Sequence, residues 1–85
     1  MKIAYTPQFV RMFKKLELAL QEESIEKIEL FETDPKHVQL KAHKLTGKLK
    51  NRYSFSVNYQ TRIIYTPLSK SEVVFLAIGD HNVYK

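Results

Sequence analysis

The hydrophobic period of this 85-residue chain changes at Pro35, and that change limits the possible folds more than any other feature. Ahead of it, Phe9, Met12, Phe13, Leu16, Ala19 and Leu20 recur at three- and four-residue spacing. That spacing puts them on one stripe of an amphipathic helix, with Arg11, Lys14, Lys15 and Glu17 on the other side. Thr6-Pro7 supplies the start: an N-cap residue, then proline at the first helical position, where its missing N–H costs nothing. Residues 2 to 5 before it read as a short strand. Ser24 is placed to cap a second helix through Ile25, Ile28 and Phe31, which must stop near Asp34 because Pro35 disfavours helical geometry in its predecessor. The first half is therefore expected to be a strand and a helical hairpin.

Beyond Pro35 the period is two. Tyr53, Phe55, Val57 and Tyr59 alternate with Ser54, Ser56, Asn58 and Gln60, the pattern of a half-buried strand. A turn over residues 58 to 61 leads into a strand at Arg62-Ile63-Ile64-Tyr65. After a polar break, the unbroken apolar run Val73 to Ile78 predicts a central strand buried on both faces. The expected architecture is α+β: a short N-terminal strand, a helical hairpin, then a curved antiparallel β-sheet, in one domain over residues 1-85. A chain this short carries a single core. Phe55, Val57, Ile63 and Phe75 are expected inside it.

Composition narrows the function classes. Apolar residues are 44% of the chain but come in short bursts, none near the ~20 needed to span a bilayer. The opening Met1-Lys2-Ile3-Ala4-Tyr5 is too brief and polar for a secretion signal, so a soluble cytoplasmic protein is expected. There is no cysteine, hence no disulfide, thiolate nucleophile or zinc-thiolate site. With only Gly47 and Gly79 in the chain there is no nucleotide-binding glycine loop, and no metal-ligand spacing is present, so no cofactor or metal is expected.

Fourteen Lys and Arg against nine Asp and Glu give a net charge of +5, and the signs are segregated. Residues 17 to 34 hold seven acids and one lysine; residues 36 to 52 hold Lys36, Lys41, Lys44, Lys48, Lys50 and Arg52 with no acid. Such a block attracts polyanions, and phosphate contacts supply most sequence-independent affinity for nucleic acid. Lys41, Lys44, Lys50 and Arg52 are candidate phosphate contacts, with Tyr53 beside them as a surface for base stacking. Lysine-rich loops beside aromatic strands also occur simply as solvated surface, so the charge pattern alone defines a basic α+β domain with affinity for a polyanion.

The residues carry a further pattern. His43-Lys44-Leu45-Thr46-Gly47-Lys48-Leu49, then Tyr53 to Tyr59, then Arg62-Ile63-Ile64-Tyr65, closing on Ile78-Gly79-Asp80-His81-Asn82-Val83-Tyr84, resembles toxins of the RelE/ParE superfamily, especially the RelE, YoeB and YafQ branch. The resemblance covers most of the chain. It implies a toxin silenced by a cognate antitoxin and acting as an endoribonuclease on mRNA in the ribosomal A site, without a metal. Attack by a ribose 2′-hydroxyl on the adjacent phosphate needs a proton acceptor, a cation for the phosphorane and a proton donor for the leaving 5′-oxygen.

Residue by residue, the resemblance puts Arg62 at the phosphate-binding arginine, whose planar fork suits two phosphate oxygens. His81 stands where YoeB- and YafQ-like toxins keep a catalytic histidine, able to protonate the leaving oxygen. Tyr84 resembles a penultimate aromatic residue that orients or stacks on the substrate. At Lys48 the sequence departs from the pattern, because some members carry a glutamate base there. Two candidates for the base follow: Lys48, if the like charges of Lys44, Lys50 and Arg52 lower its pKa, and His43. His37 reads as a surface residue. Three rival readings remain: a ParE-like inhibitor of DNA gyrase with the same fold, an RNA-binding module without catalysis, and a structural subunit of a larger complex. The antitoxin is expected to be an acidic or amphipathic segment docking on this domain.

Overall fold

The computed structural model describes residues 1–47, 51–80 and 83. The chain runs β1 (Lys2–Tyr5), α1 (Pro7–Lys14), α2 (Leu18–Thr33), a single 3-10 turn (Val38–Leu40), β2 (His43–Lys44), β3 (Tyr53–Ser56), β4 (Arg62–Pro67) and β5 (Glu72–Gly79). Thr6 is the N-cap of α1, as expected: its Oγ1 accepts from the Phe9 N–H at 3.1 Å. The same hydroxyl donates to the Phe75 carbonyl at 3.1 Å, so one threonine both starts the helix and fastens it to β5.

The helices differ from expectation in their boundaries. The apolar spacing from Phe9 to Leu20 predicts one helix, yet α1 stops at Lys14 and α2 begins at Leu18. The break is held by Gln21, whose side-chain amide donates to the Phe13 and Leu16 carbonyls at 3.1 Å each, groups a helix end leaves without partners. Spacing survives the break because Leu20, on α2, packs against the same core as Met12, Phe13 and Leu16; Ala19 is exposed. Glu17, not Ser24, is the N-cap of α2. Ser24 lies inside the helix, fully buried, its hydroxyl donating to the Leu20 carbonyl at 2.7 Å. A back-bonded serine satisfies itself within the helix and needs no cap position. The helix ends at Asp34, ahead of Pro35, as expected.

The sheet is five-stranded and open, in the order β1-β5-β4-β3-β2. Strands β2 to β5 pair antiparallel as expected, but β1 lies parallel to β5, so the sheet is mixed. Parallel pairing needs a long connection between its partners, and β1 and β5 are joined through the rest of the chain. β3 ends at Ser56, short of the alternation that runs to Tyr59, and the expected turn over residues 58 to 61 follows: Asn58 Oδ1 accepts from the Gln60 and Thr61 N–H groups at 2.9 and 2.8 Å. β5 is an interior strand, paired with β1 and β4 while β4 holds the centre, and a register shift pairs Ile64 with Ala77 but Tyr65 with Phe75, leaving Leu76 as the extra residue. That shift lets Phe75 and Ile78, three apart, face the same core. Burial on both faces holds at Ala77 and Ile78; Val74 and Leu76 are half-buried.

The core lies between the helices and one face of the sheet. Phe55, Val57, Ile63 and Phe75 are all at most 1% exposed, as expected. Phe31 of α2 organises it: its ring stacks on Phe55 (4.5 Å, 11° between planes) and meets Tyr65 edge-on at 4.9 Å. Aromatic pairs in these geometries add about 0.5–1.5 kcal/mol each beyond burial. Leu40, fully buried, anchors the 3-10 turn to this core, and His37, half-buried rather than purely surface, starts that turn by accepting the Gln39 N–H on Nδ1 at 3.1 Å.

Candidate nucleic-acid interface

Register and alternation sort the sheet's side chains into two faces. Phe55 and Tyr65 point to the helices. On the opposite face, His43 is opposite Ser54, and one step along the strands Ser56 is opposite Arg62. Strand spacing and rise place His43 and Arg62 roughly 12 Å apart between Cα atoms, diagonally across three strands. Lys44, paired with Tyr53, belongs to the helix-facing side at the sheet edge, as does Tyr53 itself, half-buried and stacked on Tyr65 at 5.6 Å. Arg52 is half-buried just before β3 and its carbonyl accepts the Leu45 N–H at 2.8 Å. The candidates Lys48, Lys50, His81 and Tyr84 lie outside the described residues.

Arg62 opens β4 beside a groove of about 500 Å³. Lys41 and Gln39 line it from the segment after α2, Ser56 and Tyr59 from the end of β3 and its turn, and Lys27 and Glu23 from α2. The guanidinium is oriented by the turn that precedes it: Nη1 donates to the Asn58 carbonyl at 2.9 Å and to the Tyr59 carbonyl at 3.4 Å. The remaining N–H donors of the fork have no hydrogen-bond partner among the described residues, and Arg62 is one of the groove's lining residues. Lys41 is held in a left-handed conformation (φ 50°) that closes the 3-10 turn. Three cations, Arg62, Lys41 and Lys27, thus converge from three separate parts of the chain.

His43 is exposed, and its Nδ1 lies 2.9 Å from the Lys41 carbonyl. A carbonyl only accepts, so this contact requires the proton on Nδ1. In the neutral ring the lone pair then sits on Nε2, on the same sheet face as Arg62. An imidazole nitrogen with a lone pair and a guanidinium fork therefore share one face of the sheet. On the other side of Asn58 runs a second groove, lined by Glu17, Glu22, Glu23 and Glu26. Asn58 donates from Nδ2 to Glu23 Oε1 at 2.9 Å between the two grooves, so the acidic and basic surfaces meet along one hydrogen bond.

Several groove residues escape the reading of the sequence. Asn58 and Tyr59 fall in the expected turn over residues 58 to 61, but nothing in the sequence places that turn beside Lys41 and Lys27. Lys27 is legible in retrospect as the one cation in an acidic stretch, and Gln39 leaves no signal. A further titratable group lies under the sheet: the Tyr65 phenol is pushed up to about 12 by burial, with Tyr53 beside it adding to the shift.

No family model matches the chain, and no curated protein matches it by sequence. Solved structures do match in fold. A YoeB/ParE toxin from Agrobacterium tumefaciens superposes with a TM-score of 0.78 at 15% identity, over 95% of this chain and 99% of that one. The toxin–antitoxin complex RelBE2 from Mycobacterium tuberculosis gives 0.78 at 18% identity, covering 94% of this chain and 96% of its own. YafQ from E. coli gives 0.72 at 20% identity, with 98% and 96% covered. The chain has the fold of the RelE/ParE superfamily toxins, over nearly its whole length. Among the described residues no helix is long and apolar enough to cross a membrane.

Proposed function

We propose that the protein is the toxin of a type II toxin–antitoxin pair and an endoribonuclease that cuts mRNA in the ribosomal A site, in the cytoplasm. The observation that supports this most is Arg62: a guanidinium braced by two carbonyls and lining a groove with Lys41, on a fold shared with such toxins. In this reading a ribose 2′-oxygen attacks the adjacent phosphorus, its proton passing to a base; the 5′-oxygen leaves with a proton from an acid, and a 2′,3′-cyclic phosphate remains. Arg62 neutralises the charge that grows on the non-bridging oxygens, where preorganised donors act most strongly.

His43 suits the base through its free Nε2, with Lys48 as the other candidate; His81 is the proposed acid and Tyr84 the residue that orients the substrate. Lys44, Lys50 and Arg52 add attraction for the RNA backbone. The proposed partner outside the ribosome is an antitoxin, as in the RelBE2 complex of the same fold. Purified protein incubated with programmed ribosomes and labelled mRNA should give A-site ends by primer extension. Arg62→Ala should slow single-turnover cleavage by roughly 10²- to 10³-fold, the usual loss for one such donor. Intact mRNA with the wild-type protein, alongside inhibition of DNA gyrase in a parallel assay, would replace this reading with the ParE-like one.

A further inference from the structure

Tyr59 is 93% exposed, the most exposed large apolar side chain among the described residues. Single exposed aromatics are common and need no role. The setting of this one is different. It sits at the tip of a turn that is pinned at every point: Val57 N–H donates to the Thr61 carbonyl at 2.8 Å, and Asn58 Oδ1 accepts from Gln60 and Thr61. Asn58 Nδ2 then ties the turn to Glu23 on α2. The Tyr59 carbonyl itself accepts from Arg62 Nη1. A ring held on a fixed backbone, one hydrogen bond from a guanidinium and on the rim of a cationic groove, has lost in advance the main-chain freedom that binding would otherwise cost.

Resting on the proposed function, we infer that Tyr59 is a stacking platform for a nucleobase of single-stranded RNA whose neighbouring phosphate lies on Arg62. Stacking suits the position because every base offers a π-face and the exposed ring is free on its solvent side. It requires an unpaired base, since bases inside a duplex already stack on each other. Asn58 is the positioning residue: it fixes both the carbonyls that aim Arg62 and the backbone that carries the ring.

The test is titration of the full chain with a 2′-O-methyl RNA hexamer, which lacks the attacking hydroxyl, followed by fluorescence anisotropy at several salt concentrations. Tyr59→Ala should weaken binding roughly 5- to 100-fold, the range for one base–aromatic stack. Tyr59→Phe should stay within about twofold of wild type, because the ring and not the hydroxyl is used. The salt slope should be unchanged in Tyr59→Ala and reduced by about one in Arg62→Ala. Duplex RNA should bind wild type and Tyr59→Ala equally. Equal affinity of Tyr59→Ala and wild type for the single strand, with Arg62→Ala still weakened, overturns the stacking inference and leaves the functional reading standing. If the hexamer binds neither wild type nor variants, the inference falls, and cleavage on programmed ribosomes decides the functional reading on its own.

Discussion

At the scale of single residues, chemistry here follows from what each side chain is fastened to. Arg62 and His43 are each oriented by main-chain carbonyls, so their free nitrogens have fixed directions. Tyr65 shows the other effect of surroundings. Its phenol is pushed up to about 12 by burial first and by Tyr53 second, against ~10 for a free tyrosine. The unfolded chain therefore ionises first: the stability contributed by neutral Tyr65 is fully present below about pH 10 and is lost as pH rises toward 12. Urea midpoints measured at about pH 8 and about pH 11 should fall further for wild type than for Tyr65→Phe, which has no proton to lose. Parallel losses in the two proteins would mean that Tyr65 does not set the alkaline limit.

At the scale of elements, short polar side chains decide where helices and strands begin and end. Thr6 caps α1 and binds the Phe75 carbonyl, so Thr6→Ala should lower stability by about 1–2 kcal/mol, read from urea denaturation, with Thr6→Ser recovering most of it. Asn58 does equivalent work for the β3–β4 turn. Asn58→Ala leaves two N–H groups without their acceptor and frees the carbonyls that hold Arg62. Single-turnover cleavage should then fall by tenfold or more, since a displacement of about 1 Å near a reacting group can cost ~10²-fold. Asn58→Asp keeps the acceptor but puts a carboxylate against Glu23, so it should keep the turn and lose the tether to α2. An Asn58→Ala protein with wild-type cleavage would show that the turn does not position Arg62.

For the whole molecule, a small chain without disulfides depends on one aromatic core, and Phe31 touches most of it. Its ring meets Phe55, Tyr65 and Phe75. Phe31→Ala should cost about 3–5 kcal/mol, close to the whole stability of a domain of this size, and should abolish the cooperative urea transition. A retained transition with a midpoint near wild type would mean that the core collapses around the gap.

Local signals account for the succession of elements: the switch of period at Pro35 separates helices from strands, Thr6-Pro7 marks the start of α1, and the apolar run at Val73 to Ile78 marks the interior strand β5. These are local signals, carried by residues a few positions apart, and local sterics and hydrogen bonding are enough to produce them. Arg62 became a candidate for a different reason, the resemblance of the residues around it to a known toxin family. The remaining features come from packing between distant segments. The break between α1 and α2 depends on Gln21 reaching back to carbonyls of the preceding segment, and Ser24 could leave the cap position because its hydroxyl found one inside the helix. The direction of β1 follows from pairing with a strand about 70 residues away. The groove draws Lys27, Lys41 and the neighbouring pair Tyr59 and Arg62 from three separate parts of the chain. No periodicity records such meetings, because they arise when packing brings separate elements together and not from any interaction between neighbours in sequence.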